Sequence, residues 1–408
     1  MASYTPEGQA RKKARQERRK GVAALWVSMA VLGAATAYGS WANRLPSLPP
    51  EKRVFPEPNG LDRFLAVSWK LPPRLSPRDP FLAEPAALRK VVDENRNLLP
   101  KLHEAVALPF MSPLIRSNYR RPSDEGDLSS AGWLFIARAR TELSDGRTAS
   151  AMSWALDAVE LGIRASKGRP ATFLRPTWEC STWGTGMAEQ CVPALTEWEA
   201  DAAAQRVDRL LKQLPTFSEI VEEERRFRVA TAHEALTRGV PDGMRNTAPG
   251  VLEPWRASLV ALGSPKPVRF AAVEREYAVL AAYSRLSWSQ RHRASLQVQR
   301  FTRERMDHVG DACAGREARL RLLRLELALH SQQRRTGTFP GTLQELQGLP
   351  DVTICQDPFA GGPLHYRRTK TGYRLYSCGR DGANQGGDPQ RDLVAGTLAN
   401  WREELSPL

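Results

Sequence analysis

The segment Cys378–Asp392 holds four glycines among several Asp and Asn residues. Carboxylates, amide oxygens and backbone carbonyls in such a loop can form an oxygen-rich cage. The five cysteines include no CxxC pair, so a zinc ribbon is excluded. Cys180 and Cys191 flank Trp183, Gly184 and Gly186, which reads as a loop short enough to be closed by a disulfide. Cys355 and Cys378 sit beside two short strands, and a bridge there would close a loop worth about 3 kcal/mol in the chain-entropy picture. Cys313 is left over. The six histidines make neither HExxH nor HxH, and His103-Glu104 and His233-Glu234 are adjacent on helices and point apart. They read as ordinary surface or core histidines. Glu222-Glu223-Glu224 alternates with Arg and reads as a solvated face rather than paired acids. Neither a GxSxG elbow, a P-loop nor a strand–GxGxxG–helix is present, so no catalytic residue is assigned.

These residues are carried by a chain of 408 residues with a formal charge of +14. Its hydrophobic share of 41% and charged share of 25% describe a globular chain long enough for two or three domains. The leader 1–20 holds seven of the bases and two of the acids. What remains is dilute, with Arg interleaved with Glu and no aromatic–basic recognition motif, so no nucleic-acid partner is expected. The leader itself acts as a topology signal and is attracted to anionic lipid heads.

Gly21–Asn43 carries no charge. As a helix it spans about 34 Å, enough to cross a bilayer, with Trp26, Tyr38 and Trp41 toward its ends as interfacial aromatics. The basic cluster keeps the N-terminus cytoplasmic and exports everything after Arg44. The location expected is therefore the bacterial inner membrane, with a membrane partner through one helix. The alternative is a signal peptide cleaved near Ala37, at Ala35-Thr36-Ala37. Either way the bulk of the chain is extracytoplasmic, where disulfides are permitted.

The expected organisation is a basic tail (1–20), a transmembrane helix (21–42), a Pro-rich linker (43–58), an α-helical domain (59–306), a C-terminal domain (307–398) and a tail (399–408). Within the helical domain, Trp133–Arg164 reads as a helical hairpin turning at Asp145-Gly146. Thr216-x-x-Glu219 opens a further helix as a capping box, with Glu222–Arg226 and Glu224–Arg228 at the i,i+4 spacing. Helices are also expected around 269–289 and 291–306. A long one over 311–335 places Ala318, Leu322, Leu325 and Leu329 on one stripe, and Arg316, Arg319 and Arg324 elsewhere on the surface. Past Pro340 come a short helix at Leu343–Leu349 and two strands, Pro363–Arg367 and Tyr373–Ser377, joined at Thr369–Gly372. The fold class is mainly α with a small C-terminal α+β domain.

One order of residues in the C-terminal part is specific. A long helix leads to Gly337-Thr338-Phe339-Pro340 and Leu343-x-x-Leu346, then Asp357-Pro358-Phe359 and Gly362-Pro363-Leu364-x-Tyr366. Gly372-Tyr373-x-Leu375-Tyr376-Ser377-x-Gly379-x-Asp381-Gly382 and Gly386-Gly387-Asp388 follow. Over about 310–393 this resembles the C-terminal domain of the major pseudopilins of type II secretion systems. The resemblance implies a long helix on a small antiparallel sheet, closed by a calcium loop. Its ligands would be Asp381, Asp388 and Asp392 with carbonyls near Tyr376–Cys378. Asn384 and Gln385 stand where that family often has acids. The N-terminus departs further, since the fifth residue after a Lys20-Gly21 processing site is Trp26 and not Glu, which argues against a filament subunit. The function expected is a structural or interaction role in the envelope, for a protein partner not named by the sequence. The alternative is an envelope hydrolase with its site in the helical domain.

Overall fold

The computed structural model describes residues 6–48, 54–71, 79–113, 125–238, 265–294, 300–346, 348–349 and 351–396. The expected tail 399–408 and the centre of the Pro-rich linker lie outside them. The chain divides into two compact units, Met1–Pro49 with Ala232–Val273, and Pro50–Thr231 with Glu274–Leu408.

In the first unit, α1 runs from Pro6 to Asn43 without a break, so the basic leader and the apolar segment form one helix. Its stretch Arg15–Asn43 is long and apolar enough to cross a membrane. Leu25 is 61% and Leu32 69% exposed, an arrangement that water penalises and a bilayer does not. Just past α1, the Pro46 carbonyl lies 3.0 Å from His233 Nε2. The His233 ring meets Phe270 edge-on at 5.9 Å.

The second unit begins with α2 (Gly60–Ser68), α3 (Pro85–Glu94) and α4 (Leu99–Ala107). Asn59 caps α2, its Oδ1 accepting from the Leu61 N–H at 3.2 Å. The central layer is α5 (Glu125–Ser144), α6 (Thr148–Ala165) and α7 (Arg175–Cys191). The α5–α6 hairpin turns at Gly146 with φ +77°, a left-handed position that suits glycine. Fully buried Leu134, Phe135, Ile136, Leu156, Leu161 and Ile163 fill the layer, each contributing about 1.5–3 kcal/mol.

Residues 180–191 are helix, not the expected loop, because their glycines serve close packing. A Cβ on Gly184 would stand 2.6 Å from the Ala155 carbonyl, and one on Gly162 would stand 2.2 Å from Ser181 Oγ. Glycine lets the α6 and α7 backbones approach this closely. Cys180 and Cys191 therefore lie eleven residues apart on one helix, about 16 Å along its axis. A disulfide needs Cα atoms within about 7 Å, so the pairing expected between them does not form. All five cysteines, Cys355 and Cys378 included, are free thiols.

Helix α8 (Glu197–Leu211) starts at a Thr196/Glu199 capping box, and α9 (Phe217–Arg238) at Thr216/Glu219. Then come α10 (Lys266–Ser284), α11 (Trp288–Arg293) and α12 (Arg300–Thr336). The expected helices 291–306 and 311–335 are thus redistributed, the second half of one joining the other as a single helix. After a 3-10 turn at Leu343–Glu345, β1 (His365–Arg368), β2 (Tyr373–Ser377) and β3 (Leu393–Val394) form an antiparallel sheet in the order β1-β2-β3. His365 pairs with Tyr376, and Ser377 with Leu393. The Thr369 N–H donates to the Gly372 carbonyl at 2.9 Å and closes the hairpin. The third strand, two residues long, was not expected from the sequence.

Helix α12 serves two cores. Leu320, Leu323 and Leu327 join the core of the helical layer, while Ala318, Leu322, Leu325 and Leu329 join that of the sheet. Both cores belong to one compact unit, so the boundary expected at 306/307 is no break between bodies. Arg316, Arg319 and Arg324, expected on the surface, are buried at 7%, 8% and 4% exposure. A helix covered on two sides has no face left for them.

Candidate functional site

Asp381, Asp388 and Asp392 do lie in one loop after β2, yet each carboxylate is engaged locally. Asp392 Oδ2 accepts from the Gly387 N–H at 2.7 Å and the Asp388 N–H at 3.1 Å. Asp381 accepts from the Ala383 N–H at 2.9 Å and from Gln385 Nε2 at 2.6 Å. Asp388 accepts from the Gln390 N–H at 3.0 Å. Such Asx contacts shape turns. Among the described residues no three His, Cys, Asp or Glu side chains gather as a metal group. The loop packs tightly at Gly379, φ +68°, where a Cβ would stand 2.8 Å from the Arg391 carbonyl.

The carboxylate that organises this region is Asp357, for which no role is expected from sequence. Buried at 1% exposure, it accepts from Ser377 Oγ at 2.8 Å, the Cys378 N–H at 2.8 Å and the Phe359 N–H at 2.9 Å. It ties the exit of β2 to the Asp357–Phe359 turn. Only its place in Asp357-Pro358-Phe359 could have drawn attention to it.

Cys378 Sγ lies 3.3 Å from His365 Nε2, and Asn384 Nδ2 lies 3.5 Å from His365 Nδ1. The order Cys–His–Asn has the outline of a nucleophile and its base, but its electrostatics oppose that chemistry. Burial, then the nearby carboxylates of Asp357 and Asp392, push the Cys378 thiol up to about 11, so it stays protonated at neutral pH. The Asn384 amide oxygen already accepts from Tyr376 Oη at 2.9 Å and the Gly386 N–H at 2.8 Å. Its NH₂ therefore faces His365 Nδ1.

A polar seam along α12 holds further buried charges. Glu224, read as solvated, is fully buried on α9. It accepts from Arg228 Nε at 2.7 Å and from the Thr172 N–H at 3.2 Å. Burial alone would raise Glu224, but the Arg228 and Arg305 guanidiniums outweigh it and hold the carboxyl below its ordinary value. Its neighbour Glu222 does keep a half-buried position between Arg225 and Arg226. A repeating Glu/Arg pattern alone cannot reveal which member turns inward.

Further along α12, Glu326 lies near Glu189 of α7, with both side chains buried. Tyr373 Oη donates to Glu326 Oε1 at 3.3 Å, while Glu326 Oε2 is buried and has no hydrogen-bond partner. Burial and the like charge of Glu189 raise Glu326 well above its ordinary value, against the opposing effects of Tyr373 and Arg319. Like charges in low dielectric favour the protonated carboxyl. The fourth cluster is more open. His103 Nδ1 lies 2.7 Å from the buried Asp157, whose other oxygen accepts from Arg206 Nη2 at 2.5 Å. The hydrogen bond to Asp157 raises His103 above its ordinary value.

Comparison with known proteins adds no name to this geometry, since neither a family model, a curated protein nor a solved structure matches the chain.

Proposed function

We propose that this is a single-pass protein of the bacterial inner membrane, with its N-terminus cytoplasmic and its bulk in the envelope, where it acts through protein–protein contact. The observation that carries the reading is α1, whose apolar half is exposed and directly continues a basic segment. A reporter enzyme active only outside the cytoplasm, fused after Leu408, tests it. Active fusions that stay with membranes through an alkaline wash are expected. Active but soluble fusions starting near Ala37 mean a cleaved signal, and inactive fusions overturn export.

In this reading the C-terminal module is pseudopilin-like, supported by its long helix and small antiparallel sheet, and takes calcium through Asp381, Asp388 and Asp392. Metal binding would exchange their backbone hydrogen bonds for contacts of the kind calcium takes from oxygen. A thermal melt with calcium and with chelator checks this. Calcium is expected to raise the midpoint of the wild type by mass action and leave Asp381→Ala unmoved. Equal midpoints in both proteins reduce the likeness to one of fold. The hydrolase alternative has His103–Asp157 as its strongest geometry. Arg206 also bridges Asp157 and Glu160, which is the pattern of a structural ion network, so the interaction role is preferred.

A further inference from the structure

Three residues one turn apart, Gly310, Cys313 and Arg316, share a face of α12. Opposite them, Arg291 of α11 lays its guanidinium over Gly310, so close that a Cβ there would stand 1.7 Å from Nη1. Arg316 is 7% and Arg291 6% exposed. Each guanidinium rests on an aromatic face, Arg316 at 5.7 Å from the Trp178 ring and Arg291 at 4.4 Å from the Phe217 ring. Arg316 Nη2 donates to Ser181 Oγ at a long 3.4 Å. The Nε–H groups of both arginines are buried with no acceptor. Among the described residues neither side chain is ion-paired. The acids nearest Arg291 are committed elsewhere, Asp307 to Tyr283 and Arg303, and Asp311 to Trp288 and Arg380.

Buried charges are ordinarily paired, because leaving one uncompensated in low dielectric is costly. The seam supplies the contrast: Arg228 has Glu224 and Arg324 has Asp208, whereas among the described residues no carboxylate forms an ion pair with Arg316 or Arg291. Cys313 does not serve as their anion, since burial pushes it up to about 11 in spite of both guanidiniums. Desolvation likewise lowers Arg316 to about 10, with no carboxylate to oppose it.

We propose that Arg316 and Arg291 form a binding site for a small tetrahedral oxyanion of the phosphate class, seated over Cys313. Two guanidiniums presenting unfilled N–H donors suit an anion with acceptors on several sides. The aromatic faces beneath them hold the cations in place. Both free phosphate and the headgroup of a phosphomonoester lipid offer this chemistry.

The test uses the full chain in neutral detergent, with inorganic phosphate against chloride at matched ionic strength, and separately with phosphatidic acid doped into the micelle. Two readouts are followed, the melting midpoint and the rate of Cys313 alkylation by a maleimide, assigned by mass spectrometry. Phosphate at ten times its dissociation constant is expected to slow alkylation of Cys313 about ten-fold while leaving Cys355 unaffected, and to raise the midpoint. In Arg316→Met both effects vanish, and its midpoint without phosphate is higher than wild type because the uncompensated charge is gone. A response to phosphatidic acid alone, lost in Arg316→Met, assigns the site to a lipid headgroup. No protection of wild-type Cys313 by either anion overturns the proposal, and that readout needs no variant to fold. So does protection that persists in Arg316→Met.

Discussion

Glu326 shows how a single buried carboxyl sets a pH dependence. Its folded-state value is raised above the ordinary 4.5 by burial and by Glu189, so the folded state holds a proton that the unfolded chain releases. The stability tied to that proton is complete below about pH 4.5 and is lost progressively as pH rises toward the folded value. Glu326→Gln keeps the shape and removes the ionisation. Its melting midpoint is expected to match wild type near pH 4 and to exceed it at pH 7–8, as measured by melts across that range. Equal curves at all pH values would show that Glu326 ionises as freely folded as unfolded. The sequence could not disclose this residue, which sits on a helix where every third or fourth position is apolar or Arg. Nor could it disclose Glu224, because Glu222 and Glu224 each have an Arg four residues on and opposite fates in the fold.

Among the elements, the crossing of α6 and α7 depends on two glycines. Overpacking a tight contact typically costs 1–3 kcal/mol. Gly184→Ala places its Cβ 2.6 Å from a backbone carbonyl, so a loss of about 3 kcal/mol is expected by denaturant unfolding. Gly315→Ala provides the opposite case, inside α12 with only Phe359 Cζ at 3.8 Å. There a gain of about 0.5–1 kcal/mol is expected from helix propensity alone. The same glycines explain what was legible. The α5–α6 hairpin, the Thr216 cap and β2 follow from local signals: a DG turn, a capping box and alternating β-formers. The stretch around Gly184 is helix where a loop is expected, because glycine used for close packing carries the same local signature as glycine used to turn. Strand β3, at two residues, is defined by its partner and has no periodicity of its own. The aspartates of the C-terminal loop are legible as a group because they lie close together in sequence, while Asp357, which ties the loop to the sheet, stands apart from them.

At the scale of the molecule, composition and charge were enough to place a basic segment ahead of an apolar helix, since both depend on sums over many residues. What they could not convey is that α12 belongs to two cores at once. Because Leu322 and Leu323, adjacent in the chain, fall in different cores, neither core can lose the helix and survive. A calorimetric scan of the full chain is therefore expected to show the helical layer and the sheet melting in one transition. Two resolved transitions, with a surviving fragment beginning near residue 307, would contradict this. Modules borrowed between proteins usually travel with their own spine and can be cut away again. Here the spine is shared with the helical layer, so the sheet cannot be cut away together with it. Any lineage that discarded it would have to invent a new wall for the helical layer.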